Sequence, residues 1–448
     1  MGVSCVRYPG GNFVSAYDWL DGVGPQEKRE PRLDPAWRSV ETNQFGTNEF
    51  MEWSAAAEAL PIFTVNLGTR GIEDAASWLE YCNHEGGGRY GNLRKSHGYQ
   101  KPYNIKTWCL GNEMDGGWQI GHKTALEYGN LARETAKIMK LIDPTIELIA
   151  SGSSKSGMET FPDWELEILD RLYDLVDYIG FHQYYGGQEK GTPFFLAQSL
   201  DMEEYITIAR AAITIAKKKK HSAKTMNISF DEWGVWSMDS AFVESQVHEK
   251  PWQTAPHISE QIYTMEDTLL FASMFMVLLK NADIIKIGCQ SLLTNVSSCI
   301  MTVPGGESWV QPIYYPFSHM AKYGRGVVLK SVLKSPLYEC EGFGSVPYLD
   351  HAAVYNDIDN EVVIFAVNRS EEELTLELDL ENFGIEERIL EHTVLRNADK
   401  KATNLQNHNL LKPEIVDDIQ KSDKGIETAV SPLSWNVIRI GVNHHRPV

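Results

Sequence analysis

The chain has 448 residues, room for a barrel of roughly 250 residues or more and a smaller second domain. Its apolar, aromatic and charged fractions are those of a soluble globular protein, with many Trp and Tyr rings of the kind that sugars pack against. A formal charge of −20 denies nucleic acid or an anionic membrane the positive field that such partners need, so a neutral substrate fits better.

In chain order, short apolar runs at 5–9, 62–67, 106–110, 146–150, 178–182, 226–230 and 284–289 read as strands. Between them lie helical patterns at 124–142, with an apolar stripe at Leu131, Ile138, Met139 and Ile142, and at 164–176. The basic run Lys217 to Lys220 closes another helical pattern, where the helix dipole favours cations. The apolar stretch at 268–279 is too short to span a membrane and reads as a buried helix. Strand and helix alternating in this way is the pattern of a (β/α)8 TIM-type barrel, although seven strands are found where eight are needed. After about Gly326 the helices stop, and alternating runs at 362–367, 374–378 and 435–440 suggest a C-terminal antiparallel β-sandwich. The expected division is therefore a catalytic barrel over 1–325 and a sandwich over 326–448, with 406–424 as a polar loop.

The six cysteines, at 5, 82, 109, 289, 299 and 340, have no Cys-x-x-Cys or close spacing, so neither a zinc site nor a disulfide framework is expected. No secretory leader is legible at the start, and the reading is a cytoplasmic protein with reduced thiols. No metal-ligand spacing, phosphate loop or nucleophilic serine elbow is found, and neither metal nor cofactor is expected.

In barrels of this type the reactive side chains stand at the C-terminal ends of strands. Thr107-Trp-Cys-Leu-Gly-Asn-Glu-Met-Asp115 runs from an apolar strand into Asn112 and Glu113, and Asn227-Ile-Ser-Phe-Asp-Glu-Trp233 delivers Glu232 in the same way. One strand-end glutamate alone is more often a salt-bridge partner or a helix cap. Two of them, one after an Asn and one before a Trp, suit acetal cleavage with retention, which needs an acid and a nucleophilic carboxylate about 5 Å apart. Between them His182 and Tyr184 are two residues apart, on one face of a regular strand. At the start, Arg7-Tyr-Pro-Gly-Gly-Asn12 puts a cation and an amide around two glycines.

Taken together, Arg-Tyr-Pro-Gly-Gly-Asn at 7–12, Trp-Cys-Leu-Gly-Asn-Glu-Met-Asp-Gly at 108–116, His182 with Tyr184, and Asp-Glu-Trp at 231–233 resemble the α-L-arabinofuranosidases of glycoside hydrolase family 51. The likeness extends to Trp118-Gln-Ile-Gly121, Ile262-Tyr-Thr-Met-Glu-Asp267 and Pro312-Ile-Tyr-Tyr-Pro-Phe317, and so spans nearly the whole chain. The resemblance implies a retaining exo-hydrolase, without cofactor, that removes terminal arabinofuranosyl groups from arabinan, arabinoxylan or arabino-oligosaccharides. It implies Glu113 as acid/base, Glu232 as nucleophile, and Arg7, Asn12, Asn112 and Tyr184 as sugar contacts beside His182. A homo-oligomer is also in keeping with the family. In the family the two glutamates end strands four and seven, whereas here they end the third and sixth, so the absent strand is expected at the N-terminus. The family's first strand carries a further sugar-binding glutamate that has no counterpart here. Its sugar-binding glutamine aligns with Leu292, two residues from Gln290. Two other readings stay open at this point: a retaining barrel hydrolase for a different sugar, and a truncated chain that binds sugar without cleaving it.

Overall fold

The computed structural model describes residues 1–442 apart from 238–242, 244, 381–382, 384–387 and 423–424. Seven parallel strands form one sheet: β1 (Cys5–Tyr8), β2 (Leu60–Val65), β3 (Thr107–Leu110), β4 (Glu147–Ser151), β5 (Tyr178–Tyr185), β6 (Asn227–Val235) and β7 (Ile285–Gln290). Each pairs with its neighbour in that order, and the sheet curls into a nearly closed barrel. All seven expected strands are present. Among the described residues no eighth strand joins them, and the outer edges of β1 and β7 border a cleft without a ladder between them.

Parallel neighbours require crossovers, which are supplied by helices including α1 (Thr47–Ala56), α2 (Ile72–Asn83), α3 (Ala125–Ile142), α4 (Asp163–Leu172), α5 (Ser199–Lys219) and α6 (Met265–Lys280), and α7 (Tyr314–Tyr323) follows the last strand. The outward faces of the strands, among them Phe63, Trp108, Leu148, Ile179 and Phe230, pack with these helices in the main core. The inward faces form a smaller apolar plug of Ile62, Cys109 and Ile149, with Cys5, Tyr178, Ile287 and Cys289 against it.

Two details differ from the sequence reading. The buried face of α3 is Tyr128, Gly129, Ala132, Thr135, Ala136 and Met139, while Leu131, Ile138 and Ile142 lie at its margin. Small residues let the helix lie close to its neighbours, and a search for large apolar side chains passes over them. The strands β5 and β6 also run several residues beyond their apolar stretches, because their last positions carry the polar side chains of the site.

The C-terminal strands are β8 (Val327–Leu329), β9 (Leu349–Asn356), β10 (Glu361–Asn368), β11 (Leu374–Asp379), β12 (Arg388–Leu395), β13 (Glu414–Val416), β14 (Gln420–Ser422), β15 (Gly425–Val430) and β16 (Ser434–Gly441). They make an antiparallel six-stranded sheet in the order β8-β9-β10-β16-β12-β13 and a three-stranded sheet β11-β15-β14. Leu349, Val362 and Ile438 from the first meet Leu376 and Ile426 from the second in a separate apolar core. The opposite face of the large sheet, with Val354, Phe365 and Trp435, joins the core of the barrel. Its central strand β10 is thus buried on both faces, so Val362 to Val367 is an unbroken apolar run. The expected polar loop at 406–424 instead carries β13 and β14. Their largely exposed side chains leave no apolar pattern, and backbone pairing alone defines them.

At the junction Arg369 donates to Asp350 at 2.7 Å and to Ser199 at 2.8 Å, and Lys280 lies 3.3 Å from Asp350. This buried network ties the sandwich to α5 and α6 of the barrel.

Candidate active site

The predicted polar residues converge at the C-terminal end of the barrel, above the inner plug. The turn after β3 begins with Gly111 at φ 84°, where a Cβ would meet the Met114 side chain at 2.9 Å. Glu113 then takes φ 45°, a region sparsely populated by residues with a side chain and one that recurs at functional sites. Asn112 is buried beneath it.

On the opposite wall, β5 and β6 pair His182 with Glu232 directly. The ladder slips just before this point: Gly180 pairs with Ser229 and His182 with Glu232, so three steps on β6 match two on β5. This bulge breaks the alternation, and both Asp231 and Glu232 reach the site. A Cβ on Gly180 would lie 2.9 Å from an Asp231 carboxylate oxygen, so the position admits Asp231 only as glycine.

The side chains form a dense charged network. Arg7, on β1, donates to Glu232 Oε1 at 2.8 Å and to Asn112 Oδ1 at 2.6 Å, with its Nε 3.5 Å from Asp231. Tyr184 donates its hydroxyl to Glu232 Oε2 at 2.8 Å. His182 Nδ1 lies 3.0 Å from Glu113 and 3.6 Å from Glu232, and its Nε2 lies 3.4 Å from Asp231. Burial alone would strip charge from these groups, but the opposite charges outweigh it. Burial pushes the His182 imidazole down, yet Glu232, Asp231 and Glu113 raise it to about 10, so it is an imidazolium at neutral pH. Burial also pushes the Glu232 carboxyl up, while the His182 and Arg7 charges with bonds from Tyr184 and Arg7 hold it below its usual value. Asp231 is held low in the same way, with burial opposed chiefly by Arg7 and then His182.

One oxygen of Glu113, one of Glu232 and a ring nitrogen of His182 all lie within 4.8 Å of one another. These three atoms could ligate a metal by distance alone, but a ring protonated between carboxylates has no lone pair to offer it. The arrangement is that of two carboxylates facing one reacting centre, one of them kept ionised by two fixed cations.

Asn12 follows β1 in a short turn of helix and lines the same cavity, which has a volume of ≈ 810 Å³. It does not bond to the other site residues. Its buried Oδ1 has no hydrogen-bond partner. Gln290 is engaged elsewhere, donating to the Ser297 carbonyl at 2.9 Å and accepting from Cys299, while Leu292 is exposed at the cavity wall.

Three contributors stood in the quoted sequence motifs without a role. Asp231 was visible as the neighbour of Glu232, but strict alternation sends it to the other face. Trp118 donates its indole N–H to Glu113 Oε2 from a loop position that carries no periodic signal. Gln119 reaches Asn112 at 3.4 Å and the Asn12 carbonyl at 3.4 Å, bridging the two loops.

Residues 1–201 match the family model described as the alpha-L-arabinofuranosidase 1 domain, and residues 231–434 match the alpha-L-arabinofuranosidase C-terminal domain. A Bacillus subtilis protein named intracellular exo-alpha-(1->5)-L-arabinofuranosidase 1 is 50% identical over 438 residues, covering 98% of this chain and 87% of that one. A Bifidobacterium longum exo-alpha-(1->6)-L-arabinofuranosidase is 39% identical over 453 residues, covering 98% of this chain and 86% of its own. Among solved structures, a family 51 alpha-L-arabinofuranosidase from Bifidobacterium longum superposes with a TM-score of 0.92 at 35% identity, covering 98% of this chain and 87% of that one. With its two carboxylates facing one cavity and relatives alike over nearly its full length, the chain belongs to the family 51 α-L-arabinofuranosidases and is a glycoside hydrolase.

Proposed function

We propose that the chain removes terminal α-L-arabinofuranosyl groups from arabinan, arabinoxylan or arabino-oligosaccharides by double displacement. The observation that carries this reading is that Glu113 and Glu232 face each other, with one oxygen of each within 4.8 Å of the other, close enough for a retaining pair. Retaining glycosidases hold their carboxyl groups about 5 Å apart, whereas inverting ones need roughly 6.5 to 9.5 Å to admit a water.

Glu232, held ionised by Arg7 and His182, attacks the anomeric carbon to form a glycosyl ester. Glu113 gives its proton to the leaving oxygen and then deprotonates the water that cleaves the ester. Tyr184 releases one Glu232 oxygen as the other bonds to carbon, and Arg7 neutralises the carboxylate that departs in the second step. Asn112 and Asn12 bind hydroxyls of the bound furanose, with Asn112 oriented by Arg7. His182 holds Glu113, Asp231 and Glu232 in one arrangement throughout. We further infer that residues 1–325 are the catalytic unit, that 326–448 support it, and that the protein is intracellular like the relatives so named.

Proton NMR of p-nitrophenyl α-L-arabinofuranoside hydrolysis tests the reaction by the first anomer formed. The α-arabinose expected appears before mutarotation; β-arabinose as the first product would overturn the double displacement.

A further inference from the structure

The motif that delivers Asn112 and Glu113 ends in Asp115, a carboxylate to which the reaction gives no part and which does not line the cavity. Asp115 instead meets Ser154, in the turn after β4, twice over. The Ser154 hydroxyl donates to one carboxylate oxygen, and its backbone N–H donates to the other at 3.1 Å. Burial pushes the Asp115 carboxyl up, the two bonds from Ser154 pull it back, and the Glu113 charge adds to the rise.

We propose that Asp115 is the positioning residue of the acid/base: bound to Ser154, it clamps the loop of Glu113 to the turn after β4 and so sets where the Glu113 carboxyl stands. Glu113 as the proton donor is the reading on which this role rests.

The loop needs such a hold. Glu113 takes φ 45°, and a conformation so sparsely populated persists only where its surroundings fix it. The Gly116 N–H closes a tight turn on the Glu113 carbonyl at 2.9 Å with Asp115 inside that turn, so a shift of Asp115 passes directly to the Glu113 backbone. The Glu113 carboxyl in its turn lies 3.0 Å from His182 Nδ1, a contact that such a shift would break.

The turn after β4 is the rigid side of the clamp. Ser153 donates its N–H to Glu165 on α4 at 2.8 Å, and its carbonyl accepts from the Tyr205 hydroxyl on α5 at 2.7 Å. Ser156 donates its N–H to Gln183 on β5 at 2.8 Å and its hydroxyl to Asp201 on α5 at 2.8 Å. Ser154 is thus presented by a segment pinned from three elements. Two further contacts flank the bond. The Met114 N–H reaches the Ser151 hydroxyl at 3.4 Å, and the Lys155 ammonium lies 5.6 Å from the centre of the Trp118 ring. Of the three, the Asp115 pair is the charge-assisted hydrogen bond, the strongest kind.

A general acid contributes about a hundredfold or more, and a misplacement of about 1 Å can remove roughly that much. Loss of the clamp is therefore expected to lower kcat/KM by ~30- to ~100-fold where the leaving group needs a proton, and by less than ~3-fold where it does not.

The test compares kcat/KM on phenyl and 2,4-dinitrophenyl α-L-arabinofuranoside for the wild type, Asp115→Ala and Glu113→Ala. Phenoxide departs poorly without a proton, and dinitrophenoxide leaves readily. Asp115→Ala is expected to lose on the phenyl glycoside and keep the dinitrophenyl one, in the pattern of Glu113→Ala and smaller in size. Asp115→Asn, which keeps an acceptor for Ser154, should recover part of the loss. Equal falls on both substrates would overturn the proposal, because damage to the fold or to the nucleophile does not distinguish leaving groups. A Glu113→Ala enzyme without a leaving-group preference would overturn the acid/base reading itself; a preference present in Glu113→Ala and absent from Asp115→Ala overturns the positioning role alone. If Asp115→Ala does not fold, Ser154→Ala removes the hydroxyl from the other side of the bond and is read on the same two substrates.

Discussion

Replacing Arg7 with methionine keeps most of the stem volume and removes one of the two cations that hold Glu232 ionised. The guanidinium bonds Glu232 at 2.8 Å in a buried site, so its loss is not screened by solvent. Two unit charges 4 Å apart attract by about 4 kcal/mol at an effective dielectric near 20. His182 and Tyr184 remain on Glu232, and water entering the vacated space relaxes part of the change, so the Glu232 carboxyl is expected to rise but to stay partly held down by its remaining partners. Losing the charge-assisted bond and freeing Asn112 together take ~2 to 4 kcal/mol from the transition state, a fall of ~30- to ~1000-fold in kcat/KM. The assay is kcat/KM against pH with p-nitrophenyl α-L-arabinofuranoside. Arg7 lowers the pKa of a nucleophile that must be ionised, so its removal moves the acidic limb of the profile to higher pH. An equal loss of activity at every pH, with the limb unmoved, would refute the electrostatic role and leave Arg7 as packing.

Glu113→Ala should spare 2,4-dinitrophenyl arabinofuranoside, whose leaving group needs little protonation, and azide should then give a glycosyl azide detectable by mass; equal loss on good and poor leaving groups would count against the acid/base role. Asn112→Ala should lower kcat more than it raises KM, because a bond to the hydroxyl beside the reacting carbon strengthens as charge develops there; a pure KM effect would make Asn112 a binding residue only. His182 has a folded pKa raised to about 10 from an ordinary 6.5. Its contribution to stability is therefore fully present below pH 6.5 and lost as pH rises through about 10. Tm measured between pH 6 and 10 should fall, and the slope should be shallower in His182→Asn; identical slopes would contradict the cationic assignment.

The barrel was legible because parallel strands buried on both faces leave apolar runs, and all seven runs became strands. Their ends were not, because β5 continues past His182 through Tyr184 and β6 past Phe230 through Glu232, where inward positions turn polar for function. The paired glutamates were found by chemistry, since each follows an apolar strand and the reaction needs two. Asp231 escaped the same logic because a bulge, invisible in composition, turns two consecutive residues toward one cavity. The α3 face of Ala and Gly and the polar strands β13 and β14 were missed for a related reason: close approach and backbone pairing leave little trace in side-chain hydrophobicity.

The open edge of β1 divides the site into two walls of unequal stiffness. Tyr184, His182 and Glu232 stand on strands hydrogen-bonded on both sides, as is the strand leading to Asn112 and Glu113, whereas among the described residues Arg7 stands on a strand bonded only to β2. Local opening begins where the fewest backbone bonds must break, so an edge strand opens before the inner ones, and the release of β1 detaches Arg7 before any other member of the network. The enzyme is then expected to fall silent before it unfolds: in rising urea, activity should vanish at a lower concentration than the circular dichroism of the helices, with the interval between the two marking the free energy needed to peel a single edge strand from an otherwise intact barrel.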